Sequence, residues 1–104
     1  MILYNVTVSI SPEVHEEWVS WMKNIHIKEV IGTECFTEAR LSRVQGEEEG
    51  GFTYSIMYFS PSEDLYEKYK NEFAQSMQAK HNELFGGKFA AFRTVLNVIE
   101  QFKV

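Results

Sequence analysis

The chain contains only two prolines, and each lies at a junction between a strand-like run and a helix-like run. Ser11 precedes Pro12, and Ser62 follows Pro61. Either serine can cap the helix that begins there, because its hydroxyl accepts a hydrogen bond from a free N–H group of the first turn. Proline suits the start of a helix, since its missing donor would be unpaired there anyway. The sequence therefore predicts two β-α-β halves in series.

Hydrophobic periodicity separates the strands from the helices along the chain. Residues 2–10 alternate with a period of two, which is typical of a strand with one apolar face. From residue 12 onward the period becomes helical and predicts a helix over about 12–25 that continues irregularly to residue 31. Further strands are predicted at 36–45, 52–59 and 88–104, the last with a terminal tail, and a second helix at 63–84 with a bend near 75–79.

The order of strand, helix, strand, strand, helix and strand predicts an α+β fold. It is the order of the ferredoxin-like βαββαβ sandwich, in which two helices cover one face of a four-stranded antiparallel sheet. Right-handed β-α-β crossovers favour this arrangement. A length of 104 residues is typical of one domain, which we expect to span residues 1–104.

Residues 46–51 separate the second predicted strand from the third. The segment consists of three glycines and three glutamates, which disfavour a strand, so a solvated hairpin loop is predicted. Glu47, Glu48 and Glu49 could bind a divalent cation weakly. Three adjacent flexible carboxylates are, however, more typical of a hairpin tip exposed to solvent.

Alternation also places apolar side chains on the sheet face that the helices leave uncovered. The predicted set consists of Leu3, Phe36, Met57, Phe59, Phe89, Val95 and Ile99. Seven large apolar side chains form too extensive a patch to remain in water. We therefore expect a second copy of the chain to cover them, sheet against sheet around a two-fold axis. The sequence predicts a homodimer.

Five segments of the chain resemble the sequences of a known group of domains. They are 4–8 (Tyr-Asn-Val-Thr-Val), 18–22 (Trp-Val-Ser-Trp-Met) with His26 and Ile27, 36–40 (Phe-Thr-Glu-Ala-Arg), 79–81 (Ala-Lys-His) and 89–94 (Phe-Ala-Ala-Phe-Arg-Thr). On these segments the chain resembles, over nearly its whole length, an uncharacterised bacterial domain family of the dimeric α/β-barrel superfamily. The resemblance implies two ferredoxin-like chains that pair their sheets into a barrel.

The same resemblance implies no particular activity. The superfamily includes cofactor-free monooxygenases, haem-degrading enzymes, stress-responsive small domains and ligand-binding modules of transcription factors. A shared fold therefore leaves the function open, and the function must be argued from individual residues.

Three charged residues, Glu38, Arg40 and Arg93, are predicted on the uncovered face of the sheet. At a dimer interface or in the barrel interior they must be paired, because an isolated buried charge is very costly. One interpretation is a network of glutamate and arginine that fixes the register of the dimer. The alternative is an anion-binding site inside the barrel.

Composition disfavours several classes of partner. Fifteen acidic residues against ten basic ones give a net charge of −5, which argues against nucleic acid or an anionic membrane surface. The single cysteine, Cys35, offers neither an internal disulfide nor a thiolate cluster for a metal. No apolar run approaches the ~20 residues of a membrane span, and the N-terminus lacks a signal-peptide pattern, so a cytoplasmic location is expected. We expect no cofactor and no metal.

Aromatic and polar side chains are concentrated between the predicted helices and sheet. The aromatic set consists of Tyr4, Trp18, Trp21, Tyr54, Tyr58, Tyr69, Phe73 and Phe92. Most of this set serves the core, but five tyrosines are many for a small core, and each buried hydroxyl needs a partner. A partly polar pocket for an aromatic small molecule would explain them. The candidate ligand-binding residues are His26, Arg43, Tyr54 and His81.

The candidate side chains also have structural interpretations. His26 could act as an acid, a base or a ligand in the cleft, or it could cap the end of the helix. Arg43 could pair with a ligand carboxylate or reach solvent past the helices. His81 and Asn5 superficially match a pair used by haem-degrading members of the superfamily. Those enzymes place a tryptophan on a central strand, whereas both tryptophans here lie on the first predicted helix.

Three functions remain open at the level of sequence. The first is a homodimeric domain that binds a small hydrophobic or aromatic organic ligand in the cleft between helices and sheet. The second is a cofactor-independent monooxygenase-like enzyme that uses the same cleft, with His26 or His81 moving the proton. The third is a structural interaction module without a cavity of about 300 Å³, the size of an ordinary ligand pocket. The lack of an evident acid–base pair or cofactor motif ranks the first above the second, and the sequence does not decide whether the protein is an enzyme.

Overall fold

The computed structural model describes residues 1–46 and 50–104. These residues form the strands β1 (Ile2–Ile10), β2 (Glu38–Arg43), β3 (Phe52–Ser60) and β4 (Phe89–Asn97). The helices are α1 (His15–Trp21), α2 (Ile27–Ile31), α3 (Glu63–Glu72) and α4 (Ala74–Phe85). A 3₁₀ turn (Pro12–Val14) precedes α1, and a π-helical turn (Met22–His26) joins α1 to α2 without interruption.

The four strands form one antiparallel sheet in the order β2-β3-β1-β4. The segment from α1 to α2 connects β1 to β2, and the segment from α3 to α4 connects β3 to β4. Both segments contribute side chains to one core against the sheet, among them Trp18 of α1 and Tyr69 of α3. The predicted ferredoxin-like α+β sandwich is confirmed.

The two predicted helix caps differ in the structure. The Ser62 hydroxyl accepts a hydrogen bond from the backbone N–H of Leu65 at 3.2 Å, as predicted. Ser11 has extended backbone angles and its carbonyl accepts from the N–H of Val14, but its hydroxyl makes no capping bond with the described residues. The prediction of a side-chain cap is therefore wrong at Ser11, where the 3₁₀ turn satisfies the backbone instead.

The second helical segment bends, but earlier than predicted. Helix α3 ends at Glu72 and α4 begins at Ala74, with Phe73 between them at φ −124° and ψ −31°. The prediction near 75–79 rested on Lys80 interrupting the apolar stripe. Lys80 is accommodated without a bend, because its ammonium group reaches the carboxylate of Glu29 at 2.7 Å on the surface.

The side chains of strand β4 point to the faces of the sheet opposite to those predicted. It pairs with β1 so that Phe89 lies beside Ile10 and Arg93 beside Val6. Residues opposite one another in an antiparallel pair point to the same face, so Phe89 and Arg93 lie on the helix side of the sheet. Phe92 is 63% exposed on the uncovered face. The predicted placement of Phe89, Arg93 and Val95 on the uncovered face is therefore wrong, as is that of Phe92 on the helix side.

Further boundaries also differ from the prediction. Strand β2 covers Glu38–Arg43 rather than 36–45, and Phe36 before it is 4% exposed and packs against Tyr4 in the core instead of lying on the uncovered face. Strand β4 ends at Asn97, well before residue 104. The predicted loop at 46–51, with its weak cation site, falls on residues 47–49, which lie outside the described residues.

The core lies between the sheet and the helices, around side chains that solvent does not reach. Trp18 and Ile10 are 0% exposed, and Ile56 and Val30 are 1% exposed. Across the described ranges, no helix combines the length and the apolar character needed to cross a membrane.

Candidate functional site

A small cavity lies between the helices and the helix side of the sheet. It is lined by Tyr4, Val6, Val8, Met22, His26, Ile56, Tyr58, Tyr69, Gln78, His81, Phe89, Ala91 and Arg93. The space open to the centre of a water-sized molecule is about 40 Å³. That volume holds a few water molecules or one small chemical group, because a single water needs about 10–15 Å³.

His26 enters the cavity because the helix changes its winding. Residues five apart lie about 140° apart around an α-helix, whereas the i to i+5 bonding of a π turn brings them to nearly the same side. The π-helical turn Met22–His26 accordingly stacks His26 on Trp21, with ring centroids 4.6 Å apart and planes inclined by 21°. Such turns occur frequently at functional sites.

The His26 ring is buried and incompletely satisfied. It is 8% exposed, and its Nδ1 atom has no hydrogen-bond partner among the described residues. Burial lowers the pKa of His26 to about 4, with Lys80 acting in the same direction and Glu29 opposing it. The imidazole is therefore neutral at physiological pH, when Nδ1 or Nε2 can accept a hydrogen bond.

His81 is held in one tautomer by the first helix. The indole N–H of Trp18 donates to Nε2 of His81 at 2.8 Å, so the proton of the neutral ring resides on Nδ1. Burial lowers the pKa of His81 to about 4, and His26 and Arg93 contribute in the same direction. The rings of His26 and His81 lie 6.1 Å apart between centroids. The structure thus brings two of the predicted ligand-binding residues to one cavity.

Three tyrosines and an arginine form the polar part of the cavity. The Nε atom of Arg93 donates to the hydroxyl of Tyr4 at 3.1 Å. Tyr58 and Tyr69 are each 3% exposed, and within residues 1–46 and 50–104 their hydroxyls make no hydrogen bond. Burial raises the pKa of both hydroxyls well above the usual range, so both keep their protons and remain donors.

The other two predicted ligand-binding residues lie outside this cavity. The Tyr54 hydroxyl is 2.6 Å from Nε2 of His15, and the Tyr54 ring packs on Trp18. The guanidinium of Arg43 lies over the ring of Phe52, 4.7 Å from its centroid. Tyr54 therefore lies beside α1 and Arg43 beside Phe52 of β3, and neither lines the cavity of the two buried histidines.

The predicted charged set on the uncovered face is divided by the sheet. Glu38 and Arg40 do share that face, 3.9 Å apart and well exposed, and Arg40 lies over the ring of Phe59. Arg93 lies on the other side of the sheet, at the cavity. Asn5 bonds to Ser55 on the uncovered face, so the sheet also separates Asn5 from His81.

Sequence reasoning did not assign Gln78 and Arg93 to the site. Phe89 and Arg93 share a face of β4 because they are four residues apart, but this spacing does not tell which face of the sheet they occupy. For a metal, the described part of the chain offers no cluster of three histidine, cysteine or acidic side chains.

The comparison with protein families decides what group the chain belongs to. Residues 1–99 match a domain of unknown function, DUF4286. The chain belongs to the DUF4286 family. Comparison of this DUF4286 chain with the curated proteins gives no match.

Solved structures share the fold of this DUF4286 domain at low sequence identity. A dimeric ferredoxin-like protein from an uncultured marine organism is 13% identical, with a TM-score of 0.74 and complete coverage of both chains. A proposed antibiotic biosynthesis monooxygenase from Bacillus cereus is 13% identical, with a TM-score of 0.66 and coverage of 99% of this chain and 97% of that one. An ethyl tert-butyl ether d (ethd) family protein from Bacillus halodurans C-125 is 13% identical, with a TM-score of 0.64 and coverage of 90% and 97%. These likenesses establish the fold of the DUF4286 domain.

The chemistry available in the DUF4286 cavity is that of hydrogen bonding and charge. Tyr58, Tyr69 and the Nδ1 atom of His81 supply donors, Arg93 supplies a positive charge, and His26 supplies an acceptor. Apolar side chains from the sheet and the π-helical turn form the remaining walls. Such a mixture of apolar walls and a few convergent polar groups is typical of a small-molecule site.

Proposed function

We propose that this protein binds a small hydrophobic or aromatic organic molecule in the cavity between helices and sheet. The observation that carries the proposal is the convergence, at one cavity, of polar atoms that have no hydrogen-bond partner among the described residues: the buried Nδ1 of His26 and the hydroxyls of Tyr58 and Tyr69, which face the cavity. A buried polar group left unsatisfied costs about 1–3 kcal/mol. A ligand in the cavity would supply a partner to the buried Nδ1 of His26 and to the two tyrosine hydroxyls beside it.

Apolar side chains form much of the cavity wall and would contact the part of an apolar or aromatic ligand that adjoins its enclosed group. Val6, Val8 and Ile56 line it from the sheet, Met22 from the π-helical turn and Phe89 from β4. The enclosed space of about 40 Å³ is smaller than a ring and its substituents. A ligand therefore places one group inside and extends past the rim, where Arg93 is exposed.

Native mass spectrometry and a blocking substitution test this proposal. Ala91→Leu adds bulk at a cavity wall, whereas Ala79→Leu makes the same change at an exposed position of α4. We expect the freshly purified protein to carry an added mass that Ala79→Leu retains and Ala91→Leu loses. A protein that carries no added mass and shows no saturable quenching of tryptophan fluorescence by aromatic compounds would support a structural module with a self-filled core.

We further infer that the protein acts as a homodimer through the uncovered face of the sheet. Phe92 is 63% exposed and Leu96 is 41% exposed on that face, and Leu3, Met57 and Phe59 are half-buried there. Apolar side chains in this arrangement are typical of an interface. The marine structural neighbour, which is described as dimeric, supports the inference.

A cofactor-independent monooxygenase-like reaction in the same cavity is the second candidate function. The observation that favours it is the pair of neutral histidines, His26 and His81, at the cavity wall. Their low basicity disfavours it, because moving a proton from a phenol of pKa about 10 to a histidine of pKa about 4 costs roughly 8 kcal/mol. Ligand binding is therefore the better supported function. Oxygen consumption with a hydroquinone, abolished by His81→Gln, would reverse this ranking.

A further inference from the structure

We propose that the cavity selects an anionic group of its ligand, a carboxylate, held by Arg93 and by the hydroxyls of Tyr4, Tyr58 and Tyr69. This inference rests on the proposed function and adds the chemical class of the ligand. It follows from three observations: the partners of the arginine, the direction of the tyrosine protons and the size of the enclosed space.

Arg93 brings a positive charge to the cavity that no described acidic side chain pairs with. None of the ion pairs formed by residues 1–46 and 50–104 includes Arg93. Its Nε–H donates to the Tyr4 hydroxyl, and its terminal nitrogens make no hydrogen bond with the described chain. A guanidinium with two free terminal nitrogens matches the two oxygens of a carboxylate.

The tyrosine hydroxyls are oriented by their surroundings to donate. One lone pair of the Tyr4 oxygen receives the Nε–H of Arg93, so its own proton is available for another acceptor. The hydroxyls of Tyr58 and Tyr69 belong to side chains that are 97% buried and have no partner in the part of the chain described. A carboxylate accepts from several donors at once. An ammonium ion has only donors, so it would lie against three O–H donors and a guanidinium of the same charge.

The size of the cavity fits an anionic group better than a whole ligand. About 40 Å³ accommodates a group of a few atoms without displacement of the core. The apolar remainder of the ligand then lies at the rim, beside the aliphatic stem of Arg93. Hydrogen bonds to an ion are about twice as strong as neutral ones, so the charge of this group dominates recognition.

The matched pair of benzoate and its neutral isostere benzamide tests the inference on the full chain. We would follow amide and arginine side-chain resonances by NMR during titration with each compound. We expect benzoate to bind at the cavity and benzamide to bind about tenfold more weakly or worse. Equal affinity for the two compounds, or no saturable binding of benzoate, would overturn the inference.

Variants localise the effect to the proposed residues. Arg93→Met should weaken benzoate binding about tenfold or more, with partial recovery in Arg93→Lys, while Arg40→Met on the opposite face of the sheet should have no effect. Tyr58→Phe should weaken benzoate binding severalfold and leave the thermal stability intact, which keeps the test valid if Arg93→Met fails to fold. If Arg93→Met and Tyr58→Phe bind benzoate as the unsubstituted protein does, the inference is wrong. In that event, loss of binding in Ala91→Leu would still support the proposed cavity function.

Discussion

The indole N–H of Trp18 donates a hydrogen bond of 2.8 Å to Nε2 of His81, across 63 positions of the chain. Trp18 is 0% exposed and His81 is 9% exposed, so water does not compete with this bond. It joins α1 to α4 directly above the sheet and sets which nitrogen of His81 carries the proton. The bond therefore couples the packing of the two helical segments to the chemistry of the cavity.

Replacement of Trp18 by Phe should raise the pKa of His81. The indole donor stabilises the neutral ring, so its loss favours the protonated ring, and the deleted bulk should cost about 2–4 kcal/mol of unfolding free energy. NMR titration of the His81 ring protons and urea denaturation measure the two effects. Trp21→Phe is the control, because Trp21 lies on the same helix but stacks on His26 and does not donate the hydrogen bond to His81. An unchanged pKa of His81 in Trp18→Phe would show that the bond does not set its protonation.

Acid should destabilise the protein between pH 6.5 and about 4. Both buried histidines have pKa values near 4 in the folded protein and 6.5 in the unfolded chain, so in this window the unfolded chain binds more protons. Stability from this source is complete well above pH 6.5 and falls by an amount on the order of 3 kcal/mol for each histidine as the pH drops to 4.

His81→Gln tests this pH dependence, because glutamine keeps an acceptor for Trp18 and removes one titrating group. Its unfolding free energy should fall less steeply between pH 6.5 and 4 than that of the unsubstituted protein. Carboxylates titrate equally in both proteins, so the difference in slope isolates the histidine. Parallel curves for His81→Gln and the unsubstituted protein would contradict the assignment.

The sequence predicted the order of elements and the helix side of β1 because alternation there is strong: one face of β1 is wholly apolar and the other mostly polar. It could not predict the face of β4. Phe89 and Phe92 are equally apolar and fall on opposite faces, so periodicity gives no preference. Only the pairing of Ile10 with Phe89 decides the question, and that is a contact between distant parts of the chain.

The sequence predicted two residues of the candidate site but not how they come together, because that again depends on the structure between them. His26 and His81 could be named from their positions beside apolar stripes, but their meeting depends on a π-helical turn. No spacing rule distinguishes such a turn from an α-helix in advance. Tyr54 was grouped with them because all lie on the helix side of the sheet. In the structure, the Tyr54 hydroxyl instead lies beside His15 of α1.

Tyr58→Phe should leave the stability of the protein intact. The Tyr58 hydroxyl faces the cavity and has no hydrogen-bond partner in the described chain, so its removal loses no protein hydrogen bond. Tyr54→Phe is the matched comparison, since the Tyr54 hydroxyl does bond to His15, and it should destabilise the protein by about 1 kcal/mol. Chemical denaturation of ligand-free protein measures both. A loss of stability in Tyr58→Phe would mean that this hydroxyl serves the fold.

If the inferred homodimer forms through the uncovered face, Phe92→Asp should dissociate it. Phe92 is 63% exposed on the uncovered face, and a two-fold interface presents each substitution twice, so two carboxylates would enter an apolar surface. We expect the dissociation constant to rise more than about a hundredfold, as measured by sedimentation velocity over a range of concentrations. Leu84→Asp is the control, because Leu84 is 57% exposed on α4, on the opposite side of the molecule. If Phe92→Asp remains a dimer while Leu84→Asp becomes a monomer, the interface lies on the helices and the inferred pairing of sheets is wrong.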